Sequence, residues 1–185
     1  KNIFNKILQL PTPWEILTDP VSVIVISIYF VLVIAEAVIP AKKLPTIKYW
    51  RIMGISTFFI YFFVSSYLPL IWNNYLSAYK VFDLVLLGDY WGGLTALLLY
   101  EFGVYVWHRL MHKNHLLWRV FHQMHHSAER VDTYGAFFFS LMDMIGFTFL
   151  TSLAMIWIAG FTPQATIYAI YGATFLAVIQ HTNIK

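Results

Sequence analysis

The chain has 185 residues, of which 59% are apolar and only 11% charged; soluble domains average about 25% charged residues. So short a chain has too little interior to hide that much apolar surface, so a water-soluble globule is excluded and lipid is expected to act as part of the solvent. The formal charge of +3 is small and the basic residues are scattered, a pattern that gives no footprint for nucleic acid.

In chain order, residues 1–20 carry Pro11, Pro13 and Pro20 as breakers among Phe4, Ile7, Leu8, Leu10 and Trp14, which predicts a short interfacial segment. Val21 to Ile39 is apolar except for Glu36 and stops at Pro40, Lys42 and Lys43; it is too long for a signal peptide and lacks the small-residue cleavage site. Ile52 to Trp72 carries no charge, and about 20 such residues cross a hydrocarbon core of about 30 Å. A polar stretch, Asn73 to Asp89, precedes a third apolar run over 90–107 interrupted only by Glu101. Next comes a comparatively polar segment, 108–133, that holds most of the histidines. Two more apolar runs, 134–158 and 163–179, are split by Gly160 and Pro163. With no internal repeat or linker, residues 1–185 read as one all-α integral membrane domain with about five transmembrane helices, at 21–39, 52–72, 90–107, 134–158 and 163–179.

Basic residues set the expected orientation. The loop after the first span holds Lys42, Lys43, Lys48 and Arg51, and the loop after the second only Lys80. The third connection holds Arg109, Lys113, Arg119 and Arg130, and the fourth none. That alternation puts the first and third loops on the cytoplasmic side of a multi-pass protein of a bacterial inner membrane or the endoplasmic reticulum. It also returns His181, just past the fifth span, to the face that carries His108–His126. Trp50, Trp72, Tyr90, Trp91 and Trp107 sit near span ends and read as headgroup-level anchors. Phe137, Phe138 and Phe139 read as core or lipid contacts, with the lining of a lipid tunnel as the alternative.

Two histidine patterns dominate the polar segment, His108-Arg-Leu-Met-His112 and His122-Gln-Met-His125-His126, with His181 distant in sequence. Offsets of three and four residues advance roughly 300 to 400° around a helix, so each pattern presents its rings from one side. Neutral imidazole suits iron, zinc and copper. A single structural zinc uses four ligands, often with Cys, whereas this chain has no cysteine; disulfides, thiolate-held haem and Cys-ligated iron–sulfur clusters are excluded. The pattern also lacks the Glu of the HExxH metalloprotease motif. Two metal ions sharing the histidines would use the surplus. Iron suits oxygen chemistry best, and two zincs remain compatible with the ligand set. His115, seven residues beyond His108, would share its face only if the helix continued, and reads as an interfacial surface residue.

The segments Glu101-Phe-Gly-Val-Tyr-Val-Trp-His108-Arg-Leu-Met-His112, Leu117-Trp118-Arg-Val-Phe-His122-Gln-Met-His125-His126-Ser127 and His181-Thr182-Asn183 resemble the membrane fatty acid hydroxylase/sterol desaturase superfamily. The resemblance covers most of the chain from about residue 90. It implies a di-iron, O₂-dependent lipid hydroxylase or desaturase, an oxidoreductase with His108, His112, His122, His125, His126 and His181 among the ligands of two iron ions. It also implies a lipid substrate and an external electron donor of the cytochrome b5, ferredoxin or reductase type. Members carry a further HxxHH box after the His-Thr-Asn position and usually share eight or more histidines between the irons. Either the sequence is a fragment that stops short of that third box, which is the favoured expectation, or a protein truly ending at Lys185 holds an incomplete, inactive centre. Many relatives also place a His-Pro pair where this chain has Ser140-Leu141, ahead of the acid Asp143.

Carboxylates inside apolar runs are costly and mark function by default. Glu101 lies seven residues before His108, on the same helix face, where a carboxylate accepting the second ring N–H of a ligand would fix its tautomer; Asp143 is the other candidate for that role. Glu36, beside Pro40 and Lys42, reads as interfacial or structural. No residue is expected to act as a nucleophile. An aliphatic C–H bond offers no handle for acid–base chemistry, so a redox metal positioned and shielded by the protein is what such a substrate needs. The competing reading is a non-enzymatic membrane haem- or metal-binding protein with paired histidines as axial ligands. Substrate class (fatty acyl, sterol, carotenoid or ether lipid) and the choice between hydroxylation and desaturation are not written in the motifs.

Overall fold

The computed structural model describes residues 10–185; of the expected interfacial segment, residues 1–9 lie outside the described residues. The remainder begins with α1 (Pro13–Thr18), closed by a capping box in which Thr12 and Glu15 satisfy each other's backbone and side chain. Asp19 then caps α2 (Pro20–Val38) by accepting from Val21 N and Ser22 N, with Pro20 supplying the preset φ of a first helical turn. α3 (Trp50–Ala78) and α4 (Gly88–Lys113) follow. Asn114 ends α4 and caps the short α5 (His115–Leu117), a π-helical turn spans Trp118–His122, and α6 (Gln123–His126) completes the histidine segment. α7 (Leu141–Ser152) continues through a second π-helical stretch, Leu153–Ile158, and α8 (Pro163–Ile179) closes the described chain.

All the regular elements described are helical, and three helical stretches are long and apolar enough to cross a membrane: Pro20–Val38, Trp50–Ala78 and Leu141–Ile158. α8 is apolar but 17 residues long, and α4 is diluted by Asp89, Glu101, Arg109 and Lys113. Ile24, Val31, Ile34, Ile60, Leu98 and Phe102 point outward and are exposed. A belt of that kind on the outside of a bundle is what a lipid-facing surface requires.

Inside, α4 packs along α8, and small residues make the close approach possible. A Cβ at Gly93 would sit 3.0 Å from Tyr168 Cβ, and one at Gly92 3.1 Å from Ala165 Cβ; without side chains there, the two backbones can draw together. Ala96, Ala154, Met155, Ala165 and Ala169 fill this seam. A second core stacks Tyr29 on Phe58 at 4.0 Å between centroids, with Phe137 and Val178 beside them.

Three expectations change. The fourth span starts at Leu141, not at 134: Asp132 folds residues 133–135 into a 3-10 turn by accepting from Gly135 N, and Ser140 caps the helix only afterwards. Phe137 and Phe138 in the non-helical link are buried core residues. The second span runs on to Ala78, because Asn73–Ala78 stays helical despite its polarity. Among the expected anchors, Trp50 is 4% exposed and donates from Nε1 to Asp132, and Trp72 donates to Ser152 Oγ at 2.8 Å. Trp107 packs edge-on against Phe121. These three rings hold the bundle together, whereas Tyr90 and Trp91 are exposed.

Candidate metal centre

α4 runs two turns past its apolar stretch, and this extension presents His108 and His112 from consecutive turns. Their Nε2 atoms are 2.8 Å apart. The α5–α6 segment folds back beside it and brings His122 Nε2 to 3.2 Å from His108 Nε2, and His126 Nε2 to 3.1 Å from His122 Nε2. The four donor atoms lie within 4.8 Å of one another. The second pattern does not act as one face. The π-helical turn ends at His122, and His125 points away from the other two, to His181, with Nε2 atoms 3.2 Å apart. The His122 and His125 ring centroids are 5.2 Å apart, so the group of four and the pair adjoin. π-helical turns of this kind concentrate at functional sites.

The orientation of these rings is fixed from behind. His122 Nδ1 lies 3.0 Å from Asp143 Oδ2, with both side chains buried. A carboxylate there assigns the proton to Nδ1 and leaves the Nε2 lone pair facing the cluster. Asp143 is set by Ser140, whose Oγ accepts from Asp143 N at 3.1 Å and donates to Phe121 O at 2.8 Å, tying the start of α7 to the His122 turn. His181 repeats the logic: its Nδ1 donates to Ala177 O at 2.7 Å, which turns its Nε2 lone pair toward His125. Burial, with His181, His122 and His126 alongside, pushes His125 down to about 3. Burial also holds His126 and His181 below the ordinary imidazole range. Neutral imidazole offers one ring-nitrogen lone pair, and Nε2 atoms gathered 2.8 to 3.2 Å from one another can turn theirs to a common centre; the donor set therefore fits a metal ion.

Of the residues singled out in the sequence, the structure gathers His108, His112, His122 and His126 in one group and His125 with His181 in an adjoining one. His115 is exposed on the far side of the Asn114 break. The carboxylate behind a histidine is Asp143 and not Glu101, because seven residues of helix separate Glu101 from His108 by about 10 Å along the axis. Glu36 is structural: its Oε2 accepts from Thr133 N and Oγ1 and from Asn183 N, and so clips α2 to the turn at 133 and to the His181 arm. Ser140 and Ala177 were missed by reasoning from sequence. Ser140 had a signal in its Ser-x-x-Asp helix-start pattern; a backbone carbonyl such as that of Ala177 has none.

Beneath the pair lies a chamber of about 330 Å³ that runs along the bundle between α2, α3, α7 and α8. Phe58, Tyr61, Phe137 and Ala177 line the end near the histidines, and Ser22, Asn73 and Thr166 the other. Phe139 stands between the chamber and the centre, with its ring 4.8 Å from His125 and 5.8 Å from Tyr61.

An all-helical bundle with three helices of membrane-spanning length and a four-histidine cluster able to bind metal at one end defines the class. Residues 93–185 match the fatty acid hydroxylase family, and the chain belongs to that family. Comparison with curated proteins and with solved structures returned no match.

Proposed function

We propose that the protein is a membrane-embedded oxidoreductase that hydroxylates or desaturates a lipid with O₂ at a pair of irons. The observation that carries this reading is the junction of two imidazole groups, His108/His112/His122/His126 and His125/His181, at one end of an apolar chamber of about 330 Å³. When bound, two redox-active irons supply the oxygen activation that an unreactive C–H bond demands. The group of four would hold one ion; His125 and His181 would contribute to the second. His122 and His181, braced through Nδ1 by Asp143 and Ala177 O, keep their lone pairs aimed inward. The chamber binds an aliphatic chain along the bundle axis and excludes water from it, and Phe137 and Phe139 set how far the chain advances toward the centre. Electrons come from a separate donor protein or domain.

In the membrane, α4 and α8 complete five crossings with the three longer stretches. The lysine and arginine alternation of the loops supports a cytoplasmic position for the histidines. The test is reconstitution in lipid nanodiscs with ferrous iron, O₂ and a reductant system, with mass spectrometry of the extracted lipids. A gain of 16 mass units or a loss of 2 on an acyl, sterol, carotenoid or ether lipid is expected. An unchanged lipid pool together with a Soret band in the purified protein would support the haem-binding alternative instead.

A further inference from the structure

A second cavity, of about 530 Å³, lies outside the histidine centre, where the loop after α2 meets α3 and the 133–135 turn. Its walls carry four cationic side chains, Lys42, Lys43, Arg51 and Arg130, together with Tyr134 and Asn183. The one carboxylate on the wall, Glu36, is engaged: its Oε2 accepts from Thr133 and Asn183. Arg130 is held rigidly, by Pro45 O at 2.8 Å and by Asp132 at 2.6 Å, yet its buried Nε has no partner among the described residues. Lys42, Lys43 and Arg51 make no ion pair among the described residues, and Arg51 lies over the Tyr134 ring. An excess of cations with unspent donors, gathered in one recess, is a site for an anion with several acceptor oxygens.

The location narrows the ligand. The recess lies just past the end of the apolar α2 and at the buried Trp50 that begins α3, the depth of lipid phosphates when those helices span. Basic pockets between spanning helices take anionic headgroups. We propose that this recess binds the phosphate of an anionic lipid headgroup. The site has a mechanical link to the centre: Asn183 Nδ2 donates to Lys42 O at 2.7 Å, its Oδ1 accepts from Lys42 N at 3.2 Å, and His181 is two residues away. A headgroup held by Lys42 and Lys43 therefore braces the strap that carries His181.

Native mass spectrometry of the detergent-purified chain, titrated with phosphatidylglycerol, phosphatidylcholine or inorganic phosphate, tests the site. Phosphatidylglycerol is expected to bind in preference to phosphatidylcholine of the same chains. Combined Lys42→Gln, Lys43→Gln and Arg51→Gln substitution is expected to weaken it about 100-fold, at roughly five-fold per cation. The charge-preserving set Lys42→Arg, Lys43→Arg and Arg51→Lys retains binding and controls for folding. Inorganic phosphate competing as strongly as the lipid would keep the phosphate site but overturn its lipid source. Binding of phosphatidylglycerol no tighter than phosphatidylcholine, or undiminished by the glutamine set in a folded protein, would overturn the site altogether.

Discussion

Asp143 carries more of the centre than its position in an apolar helix suggests. Its Oδ2 meets His122 Nδ1, and carboxylates behind a liganding histidine are typically worth 10- to 100-fold in metal affinity. Asp143→Asn should therefore release metal to a chelator about 10- to 100-fold more readily than the parent, whereas Glu101→Gln, two helical turns from His108, should change retention little. Competition against a chromogenic chelator measures both. The histidines also make the metal-free protein sensitive to acid. His125, His126 and His181 are held below the ordinary imidazole value of 6.5, His125 at about 3. Between those values the unfolded chain binds more protons than the folded one, so stability is full above pH 6.5 and is lost as pH falls below it. Thermal unfolding of chelator-treated protein in detergent should show a midpoint that is level from pH 7.5 to 6.5 and declines toward pH 5. His125→Asn should flatten that decline.

At the level of elements, the centre depends on how closely α4 and α8 approach, because α4 carries His108 and His112 and α8 leads into His181. Gly93→Val adds branched carbon to a position where Cβ alone would lie 3.0 Å from Tyr168 Cβ and 3.3 Å from Ala165 O. The expected cost is about 1–3 kcal/mol, read as a lowered unfolding midpoint together with reduced metal retention. Ser140→Ala removes a helix cap worth about 1 kcal/mol and unties the start of α7, with Asp143, from the Phe121 carbonyl that Ser140 Oγ donates to, so it should lose metal as well as stability. Much of this level was legible in the sequence. Uncharged runs such as 52–72 mark helices by length and apolarity alone, and the HxxxH and HxxHH spacings place rings on helix faces. What was not legible depends on tertiary choices. The 134–140 stretch reads as apolar helix, yet Asp132 and Ser140 turn it into a buried link. Trp50 reads as a lipid anchor until Asp132 accepts its N–H. The π-helical turn that ends at His122 leaves no mark in residue type.

For the molecule as a whole, the bundle places its polar chemistry at one end of a largely apolar body, with a chamber beneath it, behind Phe139, and a basic recess beside it. The proposed function stands or falls on whether His108, His112, His122 and His126 hold a metal ion and on whether that ion is iron. Elemental analysis of the chain purified from iron-replete cells, beside His122→Ala and His115→Ala, tests it most directly. Iron is expected to stay with the parent and with His115→Ala, and to be lost from His122→Ala in a protein that still folds. Absence of any first-row transition metal in the parent, or equal iron in all three proteins, would contradict it.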